Sequence, residues 1–121
     1  MSFQLVVIFY KLGGPKKLEK KYNYTVTDEK KIERIIDDEN INLNHMVLPK
    51  DTALPIHDSN SNVYFIIVRG IMTVTLGEQE THKYGKCFIN IPFGIKMIVE
   101  NKDDEILEFF VVKSPNPINY K

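Results

Sequence analysis

The chain has 121 residues and a mass of 14.1 kDa, the size of a single domain, so any site must be built on one core or between copies of the chain. Sixteen basic residues balance sixteen acidic ones, and a formal net charge of zero excludes the broad positive field that non-specific nucleic-acid binding requires. Cys87 is the one cysteine, which rules out an intramolecular disulfide and suits a reducing compartment, the cytoplasm by expectation.

The first element is FQLVVIFY, residues 3–10, a strand-like run that lacks the flanks of a signal peptide and is far too short to span a membrane. An unpaired apolar strand of this length invites aggregation, so it is expected to pair with a sheet edge, with the protein a homodimer. Gly13 to Pro15 ends the run. A lysine-dense stretch follows, in which Lys16, Lys17, Lys20 and Lys21 form a solvated basic patch. Residues 1–24 are therefore expected to be an amino-terminal strand and arm, and residues 25–121 one domain.

In TDEKKIERIIDD, Ile32, Ile35 and Ile36 have the spacing of a short helix, while the β-branched IERII also suits a strand. Ile41, Leu43, His45 and Val47 alternate with Asn42, Asn44 and Met46, which predicts a half-buried strand that Pro49 ends. Further strands are predicted at VYFIIVRG, IMTVTLG, THKY, KCFINIP, IKMIVEN and EILEFFVVK, separated by Gly, Pro, Asn and acidic clusters. Many short strands at close spacing indicate an all-β sandwich or barrel with little helix. The tail SPNPINYK cannot continue a central strand and is expected to lie along the surface or against a partner.

The order of strands and turns resembles the cupin family, small jelly-roll β-barrels of the double-stranded β-helix type that carry two short motifs. In the first, usually Gly, five residues, His-x-His, three or four residues, Glu, six residues, Gly, the positions here are Asp51, His57, Ser59, Val63 and Gly70. In the second, usually Gly, five residues, Pro-x-Gly, two residues, His, three residues, Asn, they are Lys86, Pro92, Gly94, Met97 and Asn101. The match covers residues 41 to about 113. It implies the barrel and the position of a pocket. Family members that hold a metal use three histidines and a glutamate, and of those four this chain keeps His57.

Catalytic metal sites normally use about three protein ligands. Valine has no donor atom, a serine hydroxyl is a weak neutral ligand, and a methionine thioether suits Cu(I) better than Fe, Mn, Ni or Zn. No metal and no other cofactor is expected. No phosphate loop, CxxC, HExxH or GxSxG motif is present, and no catalytic residue is assigned. Cys87 has no evident activating neighbour, His82 lies in a polar segment, and Arg69 and Lys96 fall near strand ends, where solvent is the usual partner.

The pocket candidates are His57, Ser59, Val63, Phe65, Met97, Val99 and His45. If alternation runs on from the ligand positions, Val63, Phe65, Met97 and Val99 share an apolar inner wall. His57 belongs at the mouth or wall, as a ligand contact or in a hydrogen bond to nearby backbone. His45, on the face of Ile41, Leu43 and Val47, is expected either to point into the barrel or to be a hydrogen-bonded core residue. The function expected is a metal-free, non-catalytic module binding a small, mainly apolar molecule. The alternatives are a cupin enzyme with a reduced metal site and a structural barrel acting through a dimer surface.

Overall fold

Runs of β-branched and aromatic residues, broken by Gly, Pro and Asn, form ten strands among residues 17–119, the part of the chain that the computed structural model describes. They are β1 (Lys31–Asp37), β2 (Asn42–Leu48), β3 (Thr52–Ala53), β4 (His57–Asp58), β5 (Val63–Arg69), β6 (Met72–Leu76), β7 (His82–Tyr84), β8 (Phe88–Ile91), β9 (Lys96–Asn101) and β10 (Leu107–Lys113). A single 3₁₀ turn, Pro117–Asn119, follows. One sheet has the order β1-β2-β10-β5-β8, the other β3-β9-β6-β7, with β4 also paired to β9. The expected all-β double-stranded β-helix is the fold observed. The run at residues 3–10, and the dimer expected from it, lie outside the described residues.

The ambiguous KIERIID segment is strand β1, and a bulge interrupts it. Register slips between Arg34 and Ile36, so Glu33 and Ile36 face His45 and Leu43 across the ladder although they are three positions apart. An added residue in a strand turns a two-residue period into a three-residue step.

Alternate residues of both sheets meet in the core. Phe65 and Phe109 from adjacent strands are both buried and meet edge to face with centroids 5.6 Å apart, an arrangement that adds about 0.5–1.5 kcal/mol to the gain from burial alone. Leu48, Met72, Ile91 and Leu107 are fully buried around them.

Three residues of the motif skeleton act on the backbone. Gly70 has φ +79°, and a Cβ there would stand 2.2 Å from the carbonyl oxygen of Ile106, so the β5–β6 turn can pass only without a side chain. Asp51 fills a position usually held by glycine and keeps a left-handed φ of 64°, which aspartate tolerates better than most residues. Asn101 is fully buried: its Nδ2 donates to the carbonyls of Leu48 (2.8 Å) and Glu105 (2.9 Å), and its Oδ1 accepts from the amide of Asp103 (3.0 Å). It thereby ties the end of β9 to the end of β2 and shapes the β9–β10 turn.

The tail runs back to the β1–β2 hairpin. Asn116 Nδ2 donates to the Asp37 carboxylate and to the Asp38 carbonyl, each at 2.7 Å, and Ser61 Oγ donates to the carbonyl of Pro115 at 2.5 Å. This folds residues 114–119 beside the end of β10 and makes them one wall of a cleft.

Candidate functional site

Between the two sheets a cavity of about 40 Å³ remains. Five pocket candidates line it: His57, Val63, Phe65, Met97 and Val99. They converge because His57 on β4 is paired with Met97 on β9, while Val63 and Phe65 point inward from β5. Met46, Leu54, Val111 and Lys113 complete the lining. About 10–15 Å³ of such space takes one water, so the cavity has room for a few water molecules or for a short alkyl chain.

His57 is exposed on its outer side, and its Nδ1 lies 2.8 Å from the carbonyl oxygen of Pro55. A carbonyl only accepts, so Nδ1 carries the hydrogen and Nε2 is the ring atom left for another partner. The backbone partner precedes the histidine and is not in the DSNSN loop that follows it.

Sequence reasoning missed Lys113. It ends β10 on the inward-facing register of Val111 and Phe109, and it borders both the internal cavity and a surface cleft of about 520 Å³. That cleft lies between the β1–β2 hairpin and the tail, with Arg34, Asp37, Asn42, Asn60 and Asn116 in its walls. Burial, and then the positive charge of Arg34, hold the Lys113 ammonium below the usual lysine range. Among the described residues no carboxylate is within ion-pair distance of it. Asp37, the nearest candidate by position, is taken by the Asn116 and Asn42 amides and by Arg34 at 3.2 Å. The first two of these hold its carboxyl below the ordinary value, with Arg34 adding less. The available signal was period two, since Phe109, Val111 and Lys113 share a face in EILEFFVVK.

Ser59 is a correction. It is buried but is absent from the cavity wall: its Oγ donates to the Pro92 carbonyl at 2.5 Å and accepts from the Ile95 amide at 2.8 Å. The hydroxyl is spent holding the β8–β9 turn, where the backbone of Gly94 and Ile95 also bonds to Ser59.

His45 is a second correction, because it points away from the barrel. Met46 and Leu48 face the core, and His45 and Val47 lie on the outer face of the same strand. The ring is nonetheless fully buried. Its Nδ1 is 2.7 Å from Glu33 Oε2 and its Nε2 2.7 Å from Glu108 Oε2. Tyr24 covers it, with centroids 4.9 Å from His45 and 5.2 Å from Phe110. Arg69, expected to be solvated, joins the same cluster, with Nε 3.2 Å from Glu108 Oε1 and a second nitrogen 2.8 Å from Asp28. Glu33 also accepts from the amide and hydroxyl of Thr25, both at 2.9 Å. Residues 24–28 are thus strapped over the outer sheet by an ionic network whose centre is His45.

The residues at the family's metal positions do not fit a metal. Ser59 has its hydrogen and one of its lone pairs committed and is a weak neutral ligand with the other, Val63 offers no donor, and Met97 offers a thioether against one imidazole nitrogen of His57. Among the described residues, no cluster of three or more His, Cys, Asp or Glu side chains could hold a metal ion.

No family model matches the chain. It is 42% identical over 102 residues to an uncharacterized protein of Methanocaldococcus jannaschii, a match spanning 83% of this chain and 88% of the relative. The crystal structure of an RmlC-like cupin family protein with a double-stranded β-helix fold, from the same archaeon, superposes with a TM-score of 0.81 at 41% identity, over 84% of this chain and 95% of the other. A cupin 2 conserved barrel domain protein from Salinispora arenicola superposes with a TM-score of 0.61 at 14% identity, over 74% of this chain and 79% of that one, a likeness of fold alone.

Proposed function

The chain belongs to the cupin family, and from that premise we propose that it is a metal-free small-molecule-binding module whose ligand sits at the barrel mouth. The observation that carries this is the meeting of the apolar cavity and the polar cleft at Lys113. A ligand placed there would put a short apolar end against Val63, Met97 and Val99 and its polar end beside Lys113 and His57. Most of its volume would lie in the cleft, because about 40 Å³ admits little of it. The side chains at the family's ligand positions cannot supply the donors that a metal-dependent reaction needs.

A second reading, a structural barrel acting through its surface, has an observation of its own. On the outer face of β5 and β8, Phe88 is 78% exposed, with Tyr64 and Val68 also exposed nearby. The two readings separate in a titration with 1-propanol followed by the methyl resonances of Val63, Val99 and Met97. Saturable shifts that disappear in a folded Met97→Trp variant support the mouth site. Unshifted methyls in the parent protein would move the structural reading to first place.

A further inference from the structure

We propose that the Lys113 amine captures small aldehydes or ketones reversibly as an imine at the barrel mouth. The inference rests on the binding reading above and names its ligand class. Three placements support it. Lys113 lines both the cavity and the cleft, so a carbonyl compound held by its amine has Val63 and Met97 in the same lining to meet a short alkyl chain. Asp37, Asp38 and Glu39 line the same cleft, yet no carboxylate among the described residues pairs with the ammonium, and the charge that acts on it is that of Arg34, a second cation there. Partial burial and a neighbouring positive charge both lower the proton affinity of Lys113, which raises the share of free, nucleophilic amine at a given pH. The third placement is His57 in the wall of the same cavity, with Nδ1–H committed to Pro55 and Nε2 left to exchange a proton.

The chemistry balances without an oxidant or reductant. The neutral amine adds to the carbonyl carbon, the carbon–oxygen π pair moves to oxygen, and that oxygen takes a proton to give a carbinolamine. Nitrogen then loses its extra proton, the hydroxyl takes one and leaves as water, and a carbon–nitrogen double bond forms. His57, in the lining of the same cavity, is the imidazole available to carry protons in both stages. Hydrolysis reverses the sequence, so the product is a held ligand and not a turnover.

The test is borohydride trapping of the full-length protein with propanal at neutral pH, read by intact mass and by peptide mapping of every lysine. 1-Propanol, which has the same chain and no carbonyl, is titrated alongside by methyl resonances. The expected result is one reduced adduct concentrated on Lys113, absent in Lys113→Arg, which keeps the charge, and reduced several-fold in Met97→Trp, which fills the cavity. The wild-type peptide map decides the matter even if a variant fails to fold. Adducts spread evenly over the lysines, or trapping at Lys113 that is indifferent to Met97→Trp, would overturn the proposal. Propanol shifts without an adduct at Lys113 would remove the carbonyl inference and leave the binding reading standing. The absence of both would remove the two together.

Discussion

Replacing His45 by glutamine perturbs the ionic network that fastens residues 24–28 to the barrel. Carboxylates accept hydrogen bonds and do not donate them, and both ring nitrogens of His45 lie 2.7 Å from a carboxylate oxygen, so each faces an acceptor. Charge-assisted bonds of this kind contribute about 1.5–3 kcal/mol each. Glutamine can keep one of them with its amide nitrogen, but its carbonyl oxygen then faces the other carboxylate. Glu33 and Glu108 retain 19% and 15% of their side-chain exposure, so water relieves part of the conflict. The expected loss is therefore ~2–3 kcal/mol at pH 7, at or below the low end for breaking a buried pair. Urea unfolding measures it, and a cycle with Glu33→Gln should give a coupling of about 1 kcal/mol or more.

The acid limb gives a second readout. Glu33 is lowered from 4.5 to about 2, first by the Thr25 amide, against burial, and then by His45. A carboxylate whose folded value is depressed stabilises the fold above its unfolded value, and that contribution drains as pH falls from about 4.5 towards 2. In His45→Gln the drain should shrink without vanishing, because the Thr25 bond remains. A loss under about 1 kcal/mol with no coupling would mean that Thr25 and Arg69 hold the carboxylates unaided and that His45 only fills space.

Two further outcomes follow from the motif positions. Gly70→Ala should cost ~2–5 kcal/mol in urea unfolding, the sum of a left-handed backbone and a clash with the Ile106 carbonyl, and a cost under about 1 kcal/mol would show that the turn relaxes freely. The purified protein should carry no stoichiometric Fe, Mn, Ni or Zn by elemental analysis, with a Tm unchanged by chelator. A metal bound only to the native state would raise Tm, so metal lost together with a fall in Tm in His57→Ala would refute the donor argument.

The strand run from VYFIIVRG to EILEFFVVK was legible because period two and turn residues agree along it, and the positive φ at Gly70 and Gly94 falls where the motif glycines stand. Val63 and Phe65 from one sheet and Met97 and Val99 from the other face the same cavity because alternation holds within each of the two strands. The same rule failed for His45. The β2 strand buries residues on both faces, one against the core and one beneath residues 24–28, and alternation then separates two faces without saying which is inside. Ser59 misled for another reason: its spacing is that of a metal ligand, but a hydroxyl beside a free amide and a carbonyl becomes a turn fastener. Lys113 went unseen because a charged residue ending a strand ordinarily reads as solvated. One wall of its cleft comes from Arg34, which is distant in the chain.

The position of β10 bears on how the chain must be made. It is the middle strand of its sheet, bonded to β2 on one side and β5 on the other, yet every other strand precedes it in sequence. Until residues 107–113 leave the ribosome, the β1–β2 hairpin and the β5–β8 pair are separate fragments, each with an unsatisfied edge that β10 alone will occupy. The barrel therefore cannot close during synthesis of its earlier strands. It forms late, through long-range pairings whose loop-closure cost makes such topologies slow. A chain stalled before Leu107 would expose two adhesive edges at once, and shielding by chaperones matters most at that stage.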